Sequence, residues 1–478
     1  MFVADQMRAD MMHHMGCKAA ITPNMDQLAE QEGVSFRNAY CQNPVCVPSR
    51  CSFLTGWYPH TKGHRTMHFL LEDGDPNCLK SLKQSGYHVY WLGKNHLYPV
   101  DHPQEIEASC DEYIIGKDAT DADIHCYSGK SFEEIKKDED YYSFLKPVNT
   151  KEQEEATQDW IVVRRALEMI DHGELKEPFC LYVSINFPHP PYTCEEPYYS
   201  MINRDQIDPI RPRLRELEGK PSMLHGIYDK AQMQNWSDEK FKEVRAIYLG
   251  MIKRVDDQLG MLMDKLKEKG YYDHTGILFF ADHGDYTGDY GITEKSQNTF
   301  ENCLTNVPLI IKPPKDYKTI SRISESLVEL VDIPATLADL CGIDLGYIQF
   351  GKSLMPLMLE EKKHRDAVFC EGGRIHGEKQ AMEGVKNEES IYWPRLITQC
   401  EEGPAHTKAV MIRMKDYKYI YRLYEDDECY DLRKDPMECH NVIHEKEYAD
   451  IIQTCKNRML QFMIETGDYV PDRRDKSR

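Results

Sequence analysis

Cys46 opens the segment Cys46-Val47-Pro48-Ser49-Arg50-Cys51-Ser52-Phe53-Leu54-Thr55-Gly56. A cysteine by itself is most often a small buried hydrophobe. Here, however, Pro48 and Ser49 suit the first turn of a helix, where backbone N–H groups and the helix dipole stabilise an anionic nucleophile. Arg50 adds a charged donor beside it. Other reactive side chains follow apolar runs: Asp5 comes after Phe2-Val3-Ala4, and Asp282-His283-Gly284 after Gly276-Ile277-Leu278-Phe279-Phe280-Ala281. Lys94 and His96 follow the run 87–92, and His189 the run 179–187. Taken singly, each is a turn residue or a cap. Together with Cys46, carboxylates and an imidazole arriving from separate strand ends are what a divalent cation and a nucleophile require.

The elements that must position these residues can be read outward from them. Thr22-Pro23 caps a helix over 24–31 that Gly33 closes, and 35–40 follows as a strand. Residues 81–84, Gly86 and 87–92 repeat the order helix, glycine, strand. Long helices over 152–171 and 238–269 each precede an apolar run, 179–187 and 276–281. This alternation predicts an α/β fold with a large, mostly parallel sheet sandwiched by helices. Such sheets place ligands beyond the carboxyl ends of their strands, where Asp5, Asp282 and His283 stand. From about Arg365 the character changes, and short strands at 409–414, 417–422 and 428–432 predict an antiparallel sheet covered by a helix near 448–464. The expected division is a catalytic α/β unit over 1–364 and a smaller C-terminal α+β unit over 365–478. Residues 203–235, rich in charge and proline, read as an irregular insertion of the kind that shapes pockets.

The Cys46 segment, with C-x-P-S-R followed by L-T-G, resembles the signature of the sulfatase family within the alkaline phosphatase superfamily. That resemblance implies that Cys46 is oxidised to formylglycine by a formylglycine-generating or sulfatase-maturing enzyme. The aldehyde hydrates to a geminal diol, one hydroxyl attacks sulfur, and the other then expels sulfate. It also implies one divalent cation on Asp5, Asp282, His283 and residue 46, with Gln6 as a further ligand, and Arg50 steadying the site. Gly93-Lys94-Asn95-His96-Leu97 resembles the family's G-K-W-H-L element, so Lys94 would bind a sulfate oxygen and His96 would serve the nucleophile's proton traffic. Pro188-His189-Pro190-Pro191 resembles its P-H-x-P element, whose histidine protonates the leaving oxygen, and Lys295 resembles a lysine that clamps sulfate. Residues 418–441 resemble the family's C-terminal K-Y-I-Y and Y-D-L-x-x-D-P element.

Asp5-Gln6 stands where many sulfatases carry two aspartates, and His283 where others have asparagine. The combination is also similar to that of phosphonate monoester hydrolases, which use the same nucleophile, so a phosphonate or phosphodiester hydrolase is the alternative. A silent binding protein retaining the Cys46 thiol is a second. Calcium is the expected ion, with manganese the other choice because imidazole suits transition metals. His13, His14, His60, His64 and His68 match no catalytic position and are expected on the surface or on pocket walls.

With 80 acidic against 59 basic residues, the formal net charge is -21, a field that repels nucleic acid and anionic membranes. It also disfavours long sulfated polymers, which leaves a small sulfated carbohydrate as the expected substrate. No apolar run reaches the roughly 18 residues of a membrane span. The 16 cysteines are scattered without metal-site spacing, which fits free thiols and a cytoplasmic location. The shortness of Phe2-Val3-Ala4 as a strand leaves room for upstream sequence, including a signal peptide.

Overall fold

The computed structural model describes residues 1–99, 101–115, 131–155, 157–384, 387–401 and 403–470. The larger sheet has eight strands, β1 (Phe2–Ala4), β2 (Val34–Tyr40), β3 (His88–Gly93), β4 (Glu112–Ile114), β5 (Phe179–Ser184), β6 (Ile277–Ala281), β7 (Leu309–Lys312) and β8 (Arg322–Glu329). Their order is β4-β3-β5-β1-β6-β7-β2-β8. All neighbours are parallel except at β7, which runs antiparallel to β6 and to β2. The short β1 lies in the centre, with Phe2 opposite both Val183 and Phe279.

Burial on both faces explains why these strands read as continuous apolar runs rather than as alternating ones. Phe2, Ala4, Phe279 and Ala281 enter one core with helices α2 (Gln158–Asp171) and α4 (Asp238–Glu268). Val3, Leu278 and Phe280 enter the other with α1 (Cys46–Thr55) and α5 (Asp332–Cys341). The expected sandwich is therefore present. The strand over 179–187 ends at Ser184, and the helix over 152–171 is two pieces, Lys151–Glu155 and Gln158–Asp171. The 203–235 insertion is less irregular than its composition suggests, because it contains a regular helix, α3 (Ser222–Lys230).

A second sheet, β12-β11-β10-β9, is antiparallel and built from β9 (Ala367–Gly372), β10 (Ala409–Met414), β11 (Tyr417–Arg422) and β12 (Glu428–Asp431). Cys370, Met411, Ile420 and Tyr430 pack against the core of the large sheet. Phe369, Ile412 and Tyr419 point the other way, beneath α6 (Ala449–Thr466), where Phe462 stacks on Phe369 at 3.8 Å between centroids. Residues 471–478 of the expected C-terminal unit lie outside the described residues.

Candidate active site

The sequence-predicted residues meet beyond the carboxyl ends of β1, β3, β5 and β6. Helix α1 begins at Cys46, is buried along its whole length and ends at Gly56. Pro48 occupies its first turn, where a missing N–H costs nothing. Ser49 Oγ donates to the Asp282 carbonyl at 2.6 Å, fixing the start of the helix to the end of β6.

Arg50, fully buried, joins the two aspartates: Nε donates to Asp282 Oδ2 and Nη2 to Asp5 Oδ2, both at 2.9 Å, and Nη1 donates to Ser184 Oγ at 2.7 Å. Each carboxylate thus gives Oδ2 to the guanidinium; Asp5 Oδ1 faces Cys46 Sγ at 3.5 Å, and Asp282 Oδ1 accepts from Gln6 N and His283 N, both at 3.0 Å. Lys94 Nζ also donates to Asp5 Oδ2, at 2.7 Å. Burial disfavours a charged Asp5, but Lys94 and Arg50 outweigh it and hold the carboxyl well below the usual range.

One ligand atom each of Asp5, Asp282, His283 and Cys46 converge, all within 4.8 Å of one another. His283 Nδ1 donates to the Gly284 carbonyl at 2.9 Å, so the lone pair of Nε2 faces inward, 3.2 Å from Cys46 Sγ and 3.8 Å from Asp5 Oδ1. Burial and Lys295 keep His283 below its ordinary pKa, in the form that can donate a lone pair. Two carboxylates and an imidazole lone pair gathered in a buried site are the donor set of a cation, and oxygen with one imidazole suits a hard to borderline divalent ion. Burial and Asp5 push the Cys46 thiol up to about 12, so it is no thiolate.

Two glycines allow this approach. A Cβ on Gly284 would lie 1.9 Å from the Cys303 carbonyl, and one on Gly93, whose φ is +94°, would lie 2.0 Å from that of Ser184. Beyond Gly93, Lys94 N donates to the Ser184 carbonyl at 3.0 Å. Gln6 (φ 64°) and His96 (φ 44°) both hold left-handed backbone, a strain typical of functional sites.

The remaining residues form the opposite wall. Lys295 Nζ donates to Gln6 Oε1 and, at 3.0 Å, to His189 Nε2, and it pairs with Glu294 at 3.1 Å. His189 Nδ1 donates to the Pro190 carbonyl at 2.6 Å, which makes Nε2 the acceptor. Burial and Lys295 hold His189 well below its ordinary pKa. The Gln6 side chain, expected as a ligand, instead spans Lys295 and Asp285, donating to Asp285 Oδ2 at 2.6 Å. His96 makes no hydrogen bond to Cys46, and its Nδ1 is buried without a partner.

Sequence reasoning missed Ser184, Tyr192, Asp285 and Glu294. Asp285 accepts from Gln6, from Tyr192 Oη at 2.7 Å and from Thr287 N at 2.6 Å, and burial raises it to about 7. Its place directly after Asp282-His283-Gly284 was the one available signal. Among the other histidines, His14 binds Asp26 and Ser35, His60 binds Glu371, and His64 binds the Phe69 carbonyl.

The family pattern described as Sulfatase matches residues 1–343. The chain belongs to the sulfatase family. Its enzymes are sulfuric ester hydrolases. A second pattern, described as N-sulphoglucosamine sulphohydrolase, C-terminal, matches residues 399–465 of this sulfatase. The multifunctional alkaline phosphatase superfamily protein PehA of Trinickia caryophylli is 24% identical, over 98% of this chain and 95% of its own. An arylsulfatase of Clostridium perfringens is 25% identical, over 96% and 93%. The crystal structure of the phosphonate monoester hydrolase of Agrobacterium radiobacter shares the fold with a TM-score of 0.76 at 23% identity, over 97% of this chain and 95% of that one.

Proposed function

We propose that this sulfatase hydrolyses the sulfate ester of a small sulfated carbohydrate, using formylglycine derived from Cys46 and one divalent cation, calcium or else manganese, held by Asp5, Asp282, His283 and residue 46. The observation that carries the reading is the convergence of Cys46 Sγ with three acceptor atoms at the buried start of α1. When bound, the cation draws charge from the sulfate oxygens and favours the ionised nucleophile. The aldehyde hydrate supplies the hydroxyl that a protonated thiol lacks.

The chain's own side chains do the rest. Arg50 holds Asp5 and Asp282 in one geometry. Lys94 and Lys295, on opposite walls, balance the charge of the sulfate. His96, with Nδ1 free of any hydrogen bond, accepts the nucleophile's proton. The leaving alkoxide would take its proton at His189 Nε2, which accepts from Lys295 Nζ at 3.0 Å, so the ammonium supplies the proton that the imidazole passes on. A maturing enzyme acting on the Cys46 segment is the one required partner. The match of residues 399–465 to a sulphoglucosamine sulphohydrolase pattern supports a sugar, and the net charge of -21 supports a small one.

The test is a hydrolysis panel of sulfated monosaccharides, aryl sulfates and phosphonate monoesters, on protein whose Cys46 conversion is verified by peptide mass spectrometry. Sugar sulfates are expected to give the highest kcat/KM, with loss of turnover on chelation and recovery with calcium or manganese. The Gln6 and His283 positions favour one second reading, a phosphonate monoester hydrolase on the same residues. A higher kcat/KM for phosphonates than for every sulfate would establish it instead.

A further inference from the structure

Asp285 is wholly buried just beyond the end of β6, and three donors converge on its carboxyl. Thr287 N at 2.6 Å and Tyr192 Oη at 2.7 Å both donate to Oδ1, and Gln6 Nε2 donates to Oδ2 at 2.6 Å. The backbone N–H of Thr287 can only donate, so Oδ1 must stay an oxygen. The Gln6 amide has a donor end and an acceptor end, and its partners decide which way it points. With Nε2 committed to Asp285, Oε1 is left to accept from Lys295 Nζ. The same ammonium donates to His189 Nε2 at 3.0 Å and pairs with Glu294 at 3.1 Å. A second route joins Asp285 to the same lysine. Tyr192, three residues after His189, accepts at Oη from Glu294 N at 3.0 Å, and Glu294, held at a φ of 69°, directly precedes Lys295. Tyr286 N donates to the Glu294 carbonyl, also at 3.0 Å.

We propose that Asp285 is a positioning residue for hydrolysis: by fixing the direction of the Gln6 amide it presents Oε1 to Lys295 and holds the ammonium on His189 Nε2. The inference rests on the proposed roles of Lys295 and His189 and deepens them. The direction of the amide separates this role from a purely structural one. In Asp285→Asn the carboxamide keeps its oxygen for Thr287 N and Tyr192 Oη and turns its NH2 toward Gln6. Gln6 must then reverse, so that its Nε2 meets the Lys295 ammonium, donor against donor, and Lys295 shifts toward Glu294. Adding Gln6→Glu repairs this, because a carboxylate at position 6 accepts from the new NH2 at one oxygen and from Lys295 at the other. Alone, Gln6→Glu sets two carboxylates against each other where a hydrogen bond of 2.6 Å now stands.

The parent, both single variants and the double variant, with Cys46 conversion verified and calcium saturating, are assayed with glucosamine 6-sulfate and 4-nitrophenyl sulfate. The distance from Lys295 Nζ to His189 Nε2 is measured in crystals of the unconverted proteins. Asp285→Asn should lower kcat for the sugar sulfate about tenfold or more, slow 4-nitrophenyl sulfate less, and open the contact beyond hydrogen-bond range. Gln6→Glu should be damaging alone, yet should restore kcat and the contact when added to Asp285→Asn. Damage that accumulates in the double variant, or an Asp285→Asn enzyme with parental kcat or an intact contact, would overturn the assignment. If the parent turns over a phosphonate ester and neither sulfate, the sulfatase reading fails, and the crystal distances by themselves decide the role of Asp285.

Discussion

Replacing Arg50 by methionine removes the guanidinium while keeping most of its volume. The structure fixes what is lost: two charge-assisted bonds of 2.9 Å, to Asp5 Oδ2 and Asp282 Oδ2, and one of 2.7 Å to Ser184, all fully buried. Removing one partner of a buried ion pair costs about 3–5 kcal/mol. Here two carboxylates lose the same partner, and Lys94 compensates only Asp5, so the upper end, about 5 kcal/mol, applies. A divalent cation acts on the other oxygens of the same carboxylates. At a hundred times its Kd it contributes about 2.7 kcal/mol to any chain that binds it. Its affinity rises where Arg50 no longer shares the negative charge, so the variant gains more than the parent. Thermal and urea unfolding of the unconverted, thiol-bearing protein, in chelator and in saturating calcium, measures this. The stability gap between parent and variant should be large in chelator and smaller in calcium. A gap unchanged or widened by calcium would refute the division of carboxylate oxygens between Arg50 and a cation.

Cys46→Ala should abolish turnover and leave the unfolding midpoint within a degree or two, because one small side chain is removed; assays of converted protein beside circular dichroism check both halves. His189→Ala should slow sugar sulfates on the order of a hundredfold and 4-nitrophenyl sulfate far less, since nitrophenolate leaves without a proton. Equal slowing of both would move the proton donor elsewhere. His60 carries a pH dependence: Nδ1 faces Glu371 Oε1 at 2.6 Å and Nε2 faces the Thr466 carbonyl at 3.0 Å, so both ring nitrogens meet acceptors. Burial disfavours charge there, but Glu371 outweighs it, against a smaller opposing effect of Lys408, and the pKa is raised. A raised histidine stabilises fully below its unfolded value near 6.5 and loses that contribution as pH climbs through the folded value. Amide exchange at the end of α6 should therefore quicken above neutrality, and His60→Gln should flatten the profile.

Much of this was legible in the chain because chemistry and local pattern coincided. Cys46-Val47-Pro48-Ser49-Arg50 carries both a helix start and the family signature, and Asp282-His283 follows a fully buried apolar strand of the sheet. What escaped was set by tertiary contact. Ser184 ends β5 because Arg50 and Lys94 claim its side chain and carbonyl, a stop that an apolar run reaching Phe187 does not announce. Asp285 and Tyr192, 93 residues apart in sequence, form one network only through the fold. β9 became visible as a strand only through its pairing with β10. The left-handed backbone at Gln6 and His96 belongs to residue types that signal nothing of the kind.

The burial of α1 has a temporal consequence. Cys46 is 1% exposed at the start of a helix with no open side, and Ser49 and Arg50 anchor the turn after it to β6 and β1. An enzyme that must grip the backbone around residue 46 has no foothold once these contacts close. On the proposed formylglycine reading, conversion and folding are then competitors for the same segment. On that reading a preparation is a census of the race, and specific activity counts the chains modified before they closed. Refolding in the presence of the maturing enzyme, rather than incubating the native protein with it, is the route by which a dormant batch would gain activity.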